Sequence, residues 1–484
     1  MSDLNNKVVS ATKWSAITEI LSRLIAPISS IVLARLLAPE AFGVVTTIMM
    51  VVSFAEIFAD AGFQKYLIQH EFKDLIEQNL CINVAFWSNL TFSLITWLII
   101  SIFSSPLAAL VGSKGLGHVL IIAAISIPLM AFSSIQMALY KRNFDFKTLF
   151  KVRIVGILIP LLVTIPCALY FRNFWALIIG NLAKDVVNAV LLTYYSSWKP
   201  RLLYSLKAFK EMFSFTFWTM MESLSIWLTN YVDVFIVSTY LTQYYVGLYK
   251  TATITVGHII GLITAATTPI LFSSLSRLQN DRKGFNEMFL KFQKLVGVLV
   301  FPICVLIYCH SDLVTMILLG DQWMETSGFI GLWALTSSLT IVLSFYASEV
   351  YRSMGRPKIS FIAQIIYILV LWPSLLVAVK YDFETLYIVR SIVRVALISV
   401  DLFFVYWLIH LSFLKMLGNL KVILTGSIVM GLISLGIEKM GTHIVIQIMA
   451  ILIGVAIYAA IVLSSREMRH ILKNFVIHRR NILI

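Results

Sequence analysis

Long apolar runs separated by short polar breaks set the pattern of this chain. Fourteen runs of roughly 17–25 residues, the length needed to cross about 30 Å of hydrocarbon, fall near 14–35, 42–62, 79–102, 117–140, 153–170, 173–196, 214–238, 246–272, 292–310, 327–351, 359–379, 384–410, 420–437 and 443–464. The runs are continuous rather than alternating in ten-residue pieces, so they predict helices and argue against a barrel. The expected fold is an all-α integral membrane protein of about 14 transmembrane helices. The fifth and sixth runs are separated only by Tyr170-Phe171-Arg172-Asn173. The longest break, 273–291, is basic and predicts an amphipathic interfacial helix. No break is large enough to hold a soluble catalytic domain.

The opening stretch recurs. Shifted by 204 positions, Ser10, Thr12 and Trp14 fall on Ser214, Thr216 and Trp218, and Leu24, Leu37 and Gly43 fall on Leu228, Leu241 and Gly247. Six runs separate the copies, so both enter the membrane from the same side. Copies in one orientation imply a parallel repeat about an axis along the membrane normal. The expected organisation is an N-terminal lobe over 1–200, a C-terminal lobe over 201–412, each of six helices, and two additional helices with a basic tail over 413–484.

Composition agrees with this pattern. The 484 residues are 59% hydrophobic and only 13% charged, with mean hydropathy +0.89, where a soluble chain carries about 25% charged residues. The net charge of +14 does not point to nucleic acid, because its distribution follows the membrane. One alternating set of breaks, with the two termini, holds 28 lysines and arginines and the other set holds 6. This bias predicts that both termini are cytoplasmic and that the number of spans is even. The first run is too long for a secretory signal and carries Glu19 and Arg23, so it reads as an uncleaved span. Cys81, Cys167, Cys304 and Cys309 lie in or beside apolar runs without metal-ligand spacing and read as small core residues.

Charges inside the runs are the candidate functional residues, since each is costly at mid-bilayer. The basic ones are Arg23, Lys184, Arg390 and Arg394; the acidic ones include Glu19, Glu56, Asp60, Asp185, Glu222, Asp233, Glu349 and Asp401. Glu19 and Arg23 stand one turn apart and can pair, leaving Arg23 either self-neutralised or aimed at an anion. Arg390 and Arg394 share a spacing that is unfavourable for like charges unless an anion or an acid such as Asp401 or Glu349 lies between them. Lys184 and Asp185 are adjacent, so each is expected to need a separate partner. Glu19, Asp60, Glu222 and Asp233 are candidates for coupling to H⁺ or Na⁺ or for plain charge pairing. Pro27 is a candidate hinge. No hydrolase, metalloprotease or nucleotide-binding motif occurs, and no cofactor is expected; the missing P-loop excludes ATP hydrolysis on this chain as the driving force.

Several segments resemble one family. LARLLAPEAFGVV (33–45), FADAGF (58–63), YKRNFDF (140–146), PILFSSLSRLQND (269–281) and LLGDQW (318–323) are similar to Wzx-type polysaccharide flippases, in the polysaccharide-transporter branch of the multidrug/oligosaccharidyl-lipid/polysaccharide exporter superfamily. The resemblance covers nearly the whole chain and implies a non-enzymatic transporter of the bacterial inner membrane. It implies that undecaprenyl-pyrophosphate-linked oligosaccharide is moved across that membrane by alternating access, for O-antigen, exopolysaccharide or capsule synthesis. Membrane lipids, a polysaccharide polymerase and a chain-length regulator are the implied partners. Arginines suit a pyrophosphate because their fork pairs phosphate oxygens. The resemblance places Arg23 in the cargo cavity with Pro27 at the bend, and Arg390, Arg394 and Lys184 complete the expected cationic contacts. Two alternatives stay open: a cation-coupled multidrug exporter, which predicts a cavity of acids and aromatics, and an O-antigen polymerase or ligase, which predicts a large periplasmic loop rich in Arg and His.

Overall fold

A computed structural model describes residues 2–60, 62–438, 444–466 and 468–469. All regular structure among them is helical. Thirteen helical segments there are long and apolar enough to cross a membrane, and a further 35-residue helix covers 206–240.

The chain packs as two compact units, Met1–Lys250 and Thr251–Ile484. The first holds α1 (Ser2–Leu36), α2 (Pro39–Asp60), the short α3 (Phe63–Gln69), α4 (Leu75–Ile102), α5 (Ser104–Leu110), α6 (Gly117–Ala123) and α7 (Ser126–Arg142). It continues with α8 (Phe146–Ile159), a π-helical turn at Pro160–Thr164, α9 (Ile165–Phe171), α10 (Trp175–Tyr195), α11 (Leu206–Tyr240) and the first turns of α12 (Gln243–Arg277). The second unit holds α13 (Arg282–Cys309), α14 (Ser311–Leu318), α15 (Ser327–Thr340), a second π-helical turn at Ile341–Phe345 and α16 (Ala347–Ser353). Then come α17 (Pro357–Ala378), α18 (Phe383–Ala396), α19 (Ile398–Ile409), α20 (Phe413–Glu438) and α21 (Ile444–Ser464). The first unit thus ends beyond the expected boundary at 200, because α11 packs on α2, α3 and α4.

Many helices outrun the apolar stretches that predict them. At 1.5 Å per residue the 35 residues of α1 span about 52 Å, well past the hydrocarbon, because backbone hydrogen bonding continues after hydropathy falls. Acidic caps then set the starts. Asp74 accepts from Glu77 N at 2.7 Å while Glu77 reaches back to Lys73 N at 2.7 Å, a reciprocal cap that satisfies two orphan donors. Asp145 caps α8 and Asp281 caps α13, each accepting from the backbone N–H three residues on, which accounts for the acids of YKRNFDF and SRLQND. The interfacial helix predicted over 273–291 does not form. The α12 helix runs on to Arg277 and α13 starts at Arg282, so the basic stretch consists of two helix ends joined by a turn.

Within the first unit α1 lies along α8, α4 on α7, and α10 against both α7 and α8. Phe63 and Leu67 of α3 are driven into a core with Cys81, Ile82, Val84 and Phe86 of α4 and Ile135 of α7. In the second unit α13 packs on α15 and α20, α20 on α21, and α18 on α15 and α17.

The repeat is registered in the backbone. Leu36 ends α1 and Pro39 starts α2; Tyr240 ends α11 and Gln243 starts α12, each 204 positions later. The terminal bonds repeat too: Leu37 N donates to Leu33 O at 3.0 Å, and Leu241 N to Val237 O at 2.9 Å. Where α2 meets α12 the contact is reciprocal. A Cβ on Gly43 would lie 1.8 Å from Gln243 O, and one on Gly247 would lie 1.9 Å from Pro39 O. Both positions therefore require glycine, because each backbone touches its neighbour's carbonyl. Around this contact Thr47 Oγ1 lies 2.7 Å from Ser113 Oγ and 3.3 Å from Gln243 Oε1, and Gln243 Nε2 donates to Gly112 O at 2.8 Å.

Candidate functional site

A half-open cavity of about 600 Å³ lies inside the first unit. Five helices build it: α2 with Ser53 and Glu56, α4 with Asn89, α7 with Ser133 and Ser134, α10 with Asn181, Lys184, Asp185 and Asn188, and α11 with Met220 and Ser223. Gln64 of α3 closes one side, its Oε1 accepting from Lys141 Nζ at 2.8 Å. The α10 contribution is a polar stripe. Positions 181, 184, 185 and 188 follow the i, i+3, i+4, i+7 rule and lie on one face of a helix that is otherwise apolar. Asn89 is fully buried at the wall; its Nδ2 donates to Ser134 Oγ at 2.6 Å while its Oδ1 has no partner.

Lys184 and Asp185, each expected to need its own partner, both line this cavity, because a 100° step on α10 keeps two neighbours on the rim of an opening this wide. Glu56 faces the same space. Among the described lining residues there is no arginine and no aromatic ring, so the cavity matches neither the arginine-rich nor the acid-and-aromatic expectation. It is rich in amides and hydroxyls, with methionines Met49, Met130, Met137 and Met220 filling the apolar remainder.

Arg23 is not part of that lining. Its Nε lies 2.8 Å from Glu19 Oε1, and Glu19 Oε2 lies 3.5 Å from Arg153 Nη2 on α8. Pro27 sits within an unbroken α1; it has no N–H, so the helical bond to the carbonyl of Arg23 is the one it cannot make. The repeat counterpart of Arg23 is Trp227, which donates from Nε1 to the cavity residue Ser53 at 3.1 Å and packs against Phe54 and Tyr231. Asp233 is 7% exposed; Tyr249 Oη donates to its Oδ2 at 2.7 Å, a hydrogen-bonded contact between α11 and α12. The side chains of Asp60 and Glu222 lie outside the described residues.

Arg390 and Arg394 form a separate cluster in the second unit. Both guanidinium groups stack on Trp333, at 5.0 and 4.2 Å from its ring centre. Arg390 also donates to Tyr367 Oη, and Arg394 Nη1 donates to Ser337 Oγ at 2.6 Å. The acids expected between them are engaged elsewhere: Glu349 pairs with Arg352 at 3.0 Å, and Asp401 accepts from Ser344 and, at 2.9 Å, from Tyr351. Aromatic faces can hold guanidinium groups side by side where carboxylates were predicted.

Charge along the sequence points to Lys184 and Asp185, but the residues that make the cavity amide-rich are neutral, and charge does not mark them. The available signal was the spacing of polar residues in Asn181-Leu-Ala-Lys-Asp-Val-Val-Asn188.

Residues 32–328 match the family described as "Polysaccharide biosynthesis protein". The chain is 24% identical over 332 residues to the succinoglycan biosynthesis transport protein ExoT of Rhizobium meliloti (strain 1021), covering 68% of this chain and 66% of that one. It is 20% identical over 326 residues to the lipopolysaccharide biosynthesis protein WzxC of Escherichia coli (strain K12), covering 66% and 65%. Both alignments span slightly less than two thirds of the relative's own length. Among solved structures, the lipid II flippase MurJ in an inward closed conformation superposes with a TM-score of 0.75 at 17% identity, over 94% of this chain and 99% of that one. A multidrug resistance MATE family transporter of the MOP superfamily, facing inward, gives 0.59 at 14% identity over 83% and 98%. At these identities the likeness is one of fold.

Proposed function

Because the chain belongs to the family of polysaccharide biosynthesis proteins, we propose that it is a flippase for a lipid-linked oligosaccharide, with the amide-lined cavity as the place where the glycan is held. The cargo joins a lipid tail, an anionic undecaprenyl pyrophosphate and a polyhydroxyl glycan. Its translocation from the cytoplasmic to the periplasmic leaflet of the inner membrane needs a polar compartment at membrane depth that opens alternately to the two sides. The observation that carries this reading is the polar stripe of α10 facing Gln64, Asn89 and Ser134 across about 600 Å³. Amides offer donors and acceptors together, which suits hydroxyl groups; a lipophilic cation would need no such lining. Lys184, and Arg23 on α1, are the cationic contacts assigned to the pyrophosphate. Glu56 and Asp185 beside Lys184 are placed to respond to a coupling ion. The basic ends of the helices face the cytoplasm in this reading, with both termini on that side.

The test is surface polysaccharide at matched membrane protein levels in a strain that depends on this chain. Asn181→Leu with Asn188→Leu keeps side-chain bulk but removes four hydrogen-bonding groups, and export should fall at least tenfold. Export at the wild-type level would sink the assignment of the cavity. Loss of resistance to lipophilic cations with polysaccharide unchanged would instead favour the multidrug exporter.

A further inference from the structure

A second cleft, of about 330 Å³, opens at the lysine-rich end of the first unit, where α4 begins and α7 and α10 end. We propose that it is a docking site for a neutral sugar ring of the cargo, separate from the amide-lined cavity. The inference rests on the glycan reading above and adds a site to it.

The chemistry of the walls identifies the ligand class. Tyr140, Tyr195 and Trp198 supply aromatic rings, and Gln78, Asn79 and Asn143 supply amides. A sugar ring presents C–H groups on its faces, which pack on aromatic rings, and hydroxyls around its rim, which pair with amides that donate and accept together. No lysine or arginine occurs among the described lining residues, so the cleft suits an uncharged polyol better than a phosphate. The acid at its edge, Asp145, is committed to the start of α8: its Oδ1 accepts from Thr148 N at 3.1 Å and its Oδ2 from Thr148 Oγ1 at 2.7 Å. Lys151 lies over the Tyr195 ring, 5.9 Å from its centre.

The walls are also set in advance. Trp198 is locked edge-on against the fully buried Phe86, with ring centres 5.5 Å apart. The end of α7 is a double-bonded turn, in which Phe144 N donates to Lys141 O at 3.2 Å and Asp145 N to Tyr140 O at 2.9 Å. Such turns usually seat glycine at the left-handed residue, but here Phe144 takes φ 59°, a strained conformation for a bulky side chain. That turn presents the exposed Asn143 beside Tyr140, whose buried hydroxyl has no hydrogen-bond partner. An unmade bond at the wall of an otherwise fitted cleft marks the point where a ligand hydroxyl completes it.

The experiment is saturation-transfer NMR on the full chain in nanodiscs free of sugar-based detergent. The probes are free glucose, galactose and N-acetylglucosamine. Saturation should reach at least one of these sugars from the wild-type protein. It should fall at least fivefold in Asn143→Leu combined with Tyr140→Phe, two changes at an exposed turn and a conservative wall position that leave the packing intact. It should persist in the α10 variant Asn181→Leu/Asn188→Leu. Signal that survives in the cleft variant, or that is lost only in the α10 variant, overturns the cleft while leaving the glycan reading in place. Absence of signal from every probe with the wild-type protein overturns the cleft as well, and the export assay then decides the glycan reading independently.

Discussion

Replacing Gly43 with alanine would put a Cβ 1.8 Å from Gln243 O, where ordinary contact begins near 3.4 Å. The α2 and α12 backbones would have to part by about 1.6 Å at that point, and no flexible side-chain end can move away, because the obstructing atoms are the backbone atoms Gln243 O, C and Cα. Overpacking of this kind costs about 1–3 kcal/mol. Gly247→Ala should cost a similar amount, since its Cβ would meet Pro39 O at 1.9 Å and Gly43 N at 3.2 Å across the same crossing. The reciprocal geometry makes the double variant informative. Once one alanine has separated the helices, the second enters space already opened, so the pair should destabilise by less than the sum, with a coupling of about 0.5–3 kcal/mol. The assay is the unfolding free energy of the four proteins by sodium dodecyl sulfate titration in mixed micelles. Strict additivity would refute the shared crossing, and single variants as stable as the parent would refute the close approach itself. Loss of the surrounding hydrogen bonds of Thr47 and Gln243 belongs to the same event, so Thr47→Val should add little to Gly43→Ala.

Arg142 donates from Nη1 to Leu67 O at 2.7 Å and His70 O at 2.6 Å, and its guanidinium lies 4.6 Å from the Phe72 ring; Arg142→Met should free the end of α3. Bonds to a charged donor are worth about 1.5–3 kcal/mol, so amide exchange in Phe63–Gln69 should quicken about ten- to hundredfold, and unchanged exchange would show that α3 is held by its core contacts alone.

Hydropathy made the spans legible because the cost of bringing backbone polar groups into lipid leaves few alternatives to a helix. It located helix ends poorly for the same reason: α1 and α11 continue outside the hydrocarbon, where composition no longer restricts them. Side-chain partnerships were less legible. Arg142 counted among the loop cations, yet it binds the carbonyls that end α3. Arg390 and Arg394 were expected to need acids, but Trp333, 57 and 61 positions away, supplies a ring to both. A pairing across such separations depends on how helices pack, which spacing along one helix does not contain. The polar stripe of α10 was within reach, since its period lies in a single helix. Charge does not mark it, because the four cavity-defining amides, Gln64, Asn89, Asn181 and Asn188, are all neutral.

The two copies of the opening unit show how a repeated backbone can carry unlike chemistry. Helix ends and terminal hydrogen bonds agree to the residue across 204 positions, and so do the two glycines that touch each other's neighbouring carbonyls. Such positions tolerate little change, because a displaced helix end or an added Cβ disturbs both copies at one crossing. Side chains midway along the helices are under no such mutual constraint. At one such position the first copy has Arg23, paired with Glu19 and close to Arg153 through it. The second has Trp227, which anchors Ser53 at the cavity wall. A cation in both copies would have put two charges into the membrane, each needing its own partner. With tryptophan in the second, the cavity gains a fixed wall, and Lys184 is the one cation among its described lining residues. The two helices thus differ in what they carry at one register position: α11 borders the polar compartment through Trp227 and Ser53, and α1 carries an arginine ion-paired with Glu19.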